Sequence, residues 1–223
     1  MRQYQLVIFD WDGTLMDSQE KIVHSLSQAV QAMSLPNLPV HTLKSVIGLG
    51  LSEAVKQLYP DLSHQQQQHF ANYYRDFFSA NKKMVPLLFD GVLSLLNALS
   101  DKGTMLAVAT GKSRSGLDKS LQEAGLSDFF HDSRCADETF SKPHPQMLEE
   151  LLDAFAVKAE RAVMIGDTEY DLEMANNAGI DAIGISHGVH DEKRLQNCDP
   201  VAIFDNISDL SEYLLARTVT YQI

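Results

Sequence analysis

Short runs that are apolar at every position recur along the chain, and helical patterns separate them. The runs are Leu6 to Phe9, Met105 to Ala109, Ala162 to Ile165, Ala182 to Ile185 and Val201 to Phe204, with a weaker one at Asp132 to Ala136. A strand with one wet face alternates apolar and polar side chains, whereas one that is apolar throughout is covered on both faces. Between the runs, Val92, Leu95, Leu96 and Leu99 mark one helical face, and Leu117, Leu121 and Ala124 a second. Leu148, Leu151, Leu152 and Phe155 mark a third, and Leu172, Ala175 and Ala178 a fourth. Ser113 is suited to cap the start of the second helix, and Gly125 and Gly179 to end the second and fourth. Alternating strands and helices predict an α/β fold with a parallel sheet and helices on both of its faces.

One stretch breaks this rhythm. From about Met16 to Lys83 no convincing strand is found. Ile22, Leu26, Ala29, Val30 and Met33 fit a helical stripe, and a loop with Pro36 and Pro39 follows. Val40 to Val46 reads as a short helix, and Ser52 to Leu58 as another, closed by Pro60. Phe70, Tyr73, Tyr74, Phe77 and Phe78 line a longer helix, and this aromatic stripe is expected to be interior packing rather than a binding surface. The whole is a doubly wound, Rossmann-like parallel sheet core, residues 1–15 plus 84–223, with a small all-helical domain inserted at 16–83.

Composition narrows the function classes. The chain has 223 residues, 44% hydrophobic and 22% charged, which is ordinary for a globular protein and excludes wholesale disorder. Lys and Arg number 18 against 30 Asp and Glu, a formal charge of −12. That balance argues against nucleic-acid binding and against a polybasic membrane anchor. The most apolar stretch, Val85 to Leu99, is broken by Asp90, Gly91, Ser94 and Asn97, well short of the roughly 18 apolar residues of a membrane span. The start of the chain does not read as a signal peptide. Cys135 and Cys198 make no disulfide framework, so a reduced, cytoplasmic protein is expected.

The candidate chemistry sits where strands end. The first run leads into Asp10-Trp11-Asp12-Gly13-Thr14, the second into Thr110-Gly111-Lys112, and the run at 162–165 into Gly166-Asp167-Thr168-Glu169-Tyr170-Asp171. Ser141-Lys142-Pro143 precedes the helix that leads into that last run. In open parallel sheets ligands bind beyond the carboxyl ends of the strands, at the switch point. If the chain winds outward from the first strand and then returns beside it, Asp10, Asp12, Asp167 and Asp171 share one cleft. Several carboxylates cannot all stay ionised there without counter-charge. A hard divalent cation such as Mg²⁺, together with Lys142, supplies it. A calcium loop starting at Asp10 is excluded, because its sixth and twelfth positions are Leu15 and Lys21. A P-loop ending at Lys112 lacks its earlier glycine, Leu106 standing there.

Asp10-x-Asp12-Gly13-Thr14, Thr110-Gly111-Lys112, Lys142-Pro143 and Gly166-Asp167-x-x-x-Asp171, in this order, resemble the haloacid dehalogenase superfamily over essentially the whole chain. The helical insertion resembles the small cap of its phosphoglycolate phosphatase-like branch. The resemblance implies a Mg²⁺-dependent phosphatase of a small phosphorylated metabolite, with phosphoglycolate the leading substrate. It implies Asp10 as nucleophile and Asp12 as general acid and then base. Thr110, with the amides of Gly111 and Lys112, would hold phosphate oxygens, and Lys142 would neutralise charge. Asp10, Asp167 and the main-chain carbonyl of Asp12 would hold the metal, and Asp171 would support it directly or through water. Gly48 and Gly50 fall in a loop that resembles the cap loop reaching into the active site, and the insertion is expected to hinge at Met16 to Ser18 and Asn81 to Pro86. Mutase chemistry of the β-phosphoglucomutase kind, inorganic pyrophosphatase activity and a non-catalytic regulatory role stand as alternatives. No macromolecular partner is expected beyond a monomer or weak homodimer.

Overall fold

The computed structural model describes residues 2–221. Six parallel strands form the main sheet: β1 (Leu6–Phe9), β4 (Met105–Thr110), β5 (Asp132–Cys135), β6 (Ala162–Gly166), β7 (Asp181–Ile185) and β8 (Ala202–Phe204). Their order is β5-β4-β1-β6-β7-β8, so the chain winds outward from β1 and then returns to its other side. The switch point therefore lies between β4, β1 and β6. The register sets Phe9 opposite Val108 on one side and Ile165 on the other. Residues that follow these strands accordingly emerge side by side.

The apolar runs are explained by two cores. Val7, Phe9, Leu106, Val108, Val163 and Ile165 face α5 (Val92–Asp101), α6 (Arg114–Ala124) and α10 (Ile207–Leu215). Leu6, Ile8, Ala107, Ala109, Ala162 and Met164 face α7 (Gln146–Phe155) and α8 (Glu169–Asn177) on the other side. Each strand alternates between two dry layers, so every position is apolar. β5, at the sheet edge, is half-buried, which accounts for its weaker signal. Ser113 caps α6 by accepting from the Gly116 amide, and Gly125 ends it in the left-handed conformation, φ +69°. A short α9 (Glu192–Gln196) leads to β8.

Between β1 and α5 stand α1 (Gln19–Ala32), α2 (Val40–Lys44), α3 (Leu51–Leu58) and α4 (His64–Ala80). They carry their own apolar cluster, in which Ile22, Leu26, Val30, Leu43, Val55 and Phe70 are buried. Ser63 and Gln66 close a capping box at the start of α4. The expectation of a strand-free insertion is corrected at its edges. β2 (Met16–Asp17) pairs antiparallel with β3 (Leu87–Leu88), and the Phe89 amide donates to the Leu15 carbonyl. Two-residue strands show no hydrophobic period, so their pairing is set by the surrounding structure. The ribbon holds together the two crossings into and out of the helical unit.

Candidate active site

Asp10 follows β1 directly and is buried. Its Oδ1 accepts from Lys142 Nζ at 2.6 Å, and its Oδ2 is buried with no hydrogen-bond partner. The Lys142 ammonium, also buried, donates at 2.6 Å to Asp171 Oδ1 as well. Asp171 is the third residue of α8, and its Oδ2 accepts from the Thr168 amide and hydroxyl at 3.1 and 2.6 Å. A carboxylate three residues after a threonine is a capping-box signature, so Asp171 both starts α8 and holds Lys142. Asp167 accepts from Thr14 Oγ1 at 2.8 Å and from the Val189 amide at 2.7 Å. One carboxylate oxygen each from Asp10, Asp167 and Asp171 lies within 4.8 Å of the others. Gly13, φ +87°, makes this possible, because a Cβ there would fall 2.3 Å from Asp167 Oδ2.

Asp12 stands two residues beyond Asp10, outside that cluster. Its Oδ1 accepts from Ser18 Oγ at 2.5 Å, and Lys112 Nζ spans both of its oxygens at 2.9 Å. Thr110 is buried at the end of β4, and its Oγ1 accepts from the Lys112 amide at 3.2 Å. Thus Lys112 meets the site through its side chain as well as its backbone. Gly111 lies against the loop between α2 and α3, where a Cβ would come within 2.6 Å of the Gly48 carbonyl oxygen and 2.5 Å of that of Leu49. Gly50, which starts α3, donates its amide to Ser141 Oγ at 2.7 Å. Tyr170 of α8 donates its hydroxyl to the Ser45 carbonyl at 2.9 Å. The helical unit is therefore seated on the sheet, and a cleft of about 1250 Å³ lies between them.

A model of the haloacid dehalogenase-like hydrolases matches residues 7–185. The "Probable phosphatase IndB" of Dickeya dadantii is 33% identical over 211 residues, covering 92% of this chain and 91% of that protein. The phosphoglycolate phosphatase of Vibrio cholerae is 29% identical over 224 residues, covering 96% and 99%. Among solved structures, a predicted phosphatase from Clostridium acetobutylicum superimposes with a TM-score of 0.86 at 27% identity, covering 96% of this chain and 99% of that one. The chain belongs to the haloacid dehalogenase-like hydrolase family. Within it the chain is a hydrolase of the phosphatase kind.

Electrostatics explain why such a hydrolase needs a counter-ion here. Burial pushes the Asp10 carboxyl well above its ordinary value; Lys142 opposes the shift, and Asp171 and Asp167 add to it. Burial, then the charge of Asp171, pushes Asp167 up to about 7. Burial also works against the charged lysine, but the carboxylates of Asp10 and Asp171 outweigh it and hold Lys142 above its ordinary value. One ammonium against three buried carboxylates leaves negative charge uncompensated. The orphaned Asp10 Oδ2 and the all-oxygen donor set suit a hard divalent cation.

The sequence pattern left some contributors unassigned. Ser18 and Thr14 hold the carboxylates of Asp12 and Asp167, and only a hydroxyl near an acidic pair hinted at them. The aromatic stripe of α4 is divided, which corrects the expectation that it is all interior. Phe70 is buried against Tyr59, whereas Tyr74 and Phe78 line the cleft. The three are spaced by four and share one helix face. That face packs on the helical cluster along its length, and at Tyr74 and Phe78 it also borders the cleft beside Asp12. Burial, then the charge of Asp12, raises the Tyr74 phenol above its ordinary range. No described helix is long and apolar enough to cross a membrane.

Proposed function

We propose that this hydrolase cleaves a small phosphomonoester in two steps through an aspartyl-phosphate on Asp10. The observation that carries the reading is the Asp10 carboxylate, one oxygen gripped by Lys142 and the other buried and unpartnered. In the first step an Asp10 oxygen attacks phosphorus, the bond to the leaving oxygen breaks, and Asp12 gives that oxygen a proton. In the second, Asp12 takes a proton from water, the water oxygen attacks phosphorus, and Asp10 is regenerated as phosphate leaves. Ser18 and Lys112 orient Asp12 for both transfers. Thr110 and the amides of Gly111 and Lys112 hold the non-bridging oxygens, and Lys142 neutralises charge that develops on them. Asp10, Asp167 and the Asp12 main-chain carbonyl would hold Mg²⁺, with Asp171 supporting the site. When bound, the ion supplies positive charge to the phosphoryl oxygens and relieves the repulsion among the carboxylates.

In this reading residues 16–83 are a cap over a core of 1–15 and 84–223, and the β2–β3 ribbon marks its hinge. The loop at Gly48 and Gly50 closes against Gly111 and Ser141 and excludes water. The named relatives make phosphoglycolate the first compound to test. The test is phosphate release with Mg²⁺ from phosphoglycolate, sugar phosphates, nucleotides and pyrophosphate, using D10N as the blank. Release that vanishes in D10N and in chelator is expected. Release that persists in D10N overturns the assignment of the nucleophile. Transfer to a second sugar phosphate without net release would replace hydrolysis by mutase chemistry.

A further inference from the structure

Beside Asp12, the general acid of the reading above, two lysines from different elements converge on one aromatic ring. Lys21 Nζ of α1 lies 4.6 Å from the centroid of Phe78, and Lys112 Nζ lies 5.1 Å from it. Lys119 of α6 lines the same cleft. Two of these three cations are matched: Lys112 is paired with Asp12 at 2.9 Å, and Lys119 with Glu123 at 3.8 Å. Lys21 makes no ion pair within 4.0 Å among the described residues. It is also half-buried, whereas an unpaired lysine ordinarily carries its ammonium out to water. Burial, together with the charges of Lys119 and Lys112, lowers its pKa, against an opposing pull from Glu123. On this stretch of the cleft wall three ammonium groups meet two carboxylates, Asp12 and Glu123, which are already paired, so Lys21 is the cation left without a partner among the described residues.

We propose that Lys21, with Lys112 beside it and Phe78 as floor, binds a second anionic group carried on the leaving-group side of the substrate. The substrate class is then a phosphomonoester that also bears a carboxylate or a second phosphoryl group. This assignment rests on the phosphatase reading above. The cleft keeps its volume of about 1250 Å³ while Gly50 is bonded to Ser141 and Ser45 to Tyr170, so the leaving group has room with the helical unit seated. Lys21 is therefore a specificity-determining residue, outside the motifs that carry the chemistry.

The test compares kcat/KM of the full chain with Mg²⁺ on phosphoglycolate, glucose 1,6-bisphosphate and p-nitrophenyl phosphate, whose leaving group brings no second acidic substituent. A charge-assisted contact is worth roughly a tenfold to hundredfold change. K21M, which keeps the stem, is expected to lower kcat/KM by that factor on one or both doubly anionic substrates, mainly through KM, with a far smaller change on p-nitrophenyl phosphate. K21R should restore most of the loss. The substrate that suffers more names the second anion. An equal loss on all three, or no loss on the charged pair, overturns the subsite and leaves the phosphatase reading intact. No release from any of them by the unmodified protein overturns both.

Discussion

Replacing Lys142 by methionine removes the counter-charge from the carboxylates while keeping a stem of similar bulk. The Lys142 ammonium is buried and lies 2.6 Å from both Asp10 and Asp171. At an effective dielectric of about 20, each contact corresponds to roughly 6 kcal/mol of gross attraction. The cost of burying the charges offsets much of this, and breaking a buried pair by removing one partner typically costs about 3–5 kcal/mol. For a chain of this size, that loss lowers Tm by roughly 6–20 °C. The assay is thermal and urea unfolding in chelator at pH 8, with K142M made both alone and in a D10N background. The loss should shrink in D10N, where one of the stranded carboxylates is neutral. It should also shrink at pH 5, because Asp10 already titrates above its ordinary value and, without Lys142, takes up a proton more readily. A loss below about 1 kcal/mol, or one equal in both backgrounds, refutes the claim that Lys142 holds the carboxylate cluster together.

Two further outcomes follow from the same geometry. Asp167 titrates at about 7 when folded, against an ordinary value near 3.8. Its contribution to stability is fully present below about pH 4 and is lost as the pH rises through 7; binding a divalent cation requires the ionised form and releases a proton. Mg²⁺ affinity should therefore tighten from pH 6 to pH 8, and calorimetry in buffers of different ionisation enthalpy should detect proton release at pH 6.5; no release refutes the coupling of cation binding to these raised carboxyls. G111A puts a methyl group within 2.6 Å of two carbonyl oxygens of the 48–49 loop. Overpacking of about 1–3 kcal/mol, felt only when that loop is seated, should raise KM about tenfold or more with little change in Tm; an unchanged KM refutes closure over Gly111.

The amino-acid sequence by itself determined the sheet and the strand ends at which the candidate groups gather. Strands covered on both faces must be apolar at every position, so their runs were visible without any partner in view. Strand–helix alternation then allows few topologies, and reactive groups written just after β1, β4 and β6 must meet at the switch point. The helices of the insertion were legible for the same reason, since Ile22, Leu26, Ala29 and Val30 repeat at the helical period and are buried. Only the tertiary structure decided what a given face meets. Phe70, Tyr74 and Phe78 repeat identically and all pack on the helical cluster, yet Phe70 is fully buried while Tyr74 and Phe78 also border the cleft. Nothing in the sequence set Lys21 apart as a cleft residue; that came only with α1 and α4 bringing it over Phe78. The β2–β3 pairing and the hydrogen bond from Gly50 to Ser141 join residues distant in the chain, through segments too short for any period. Periodicity reports which side of an element is apolar; what lies opposite that side is a property of packing.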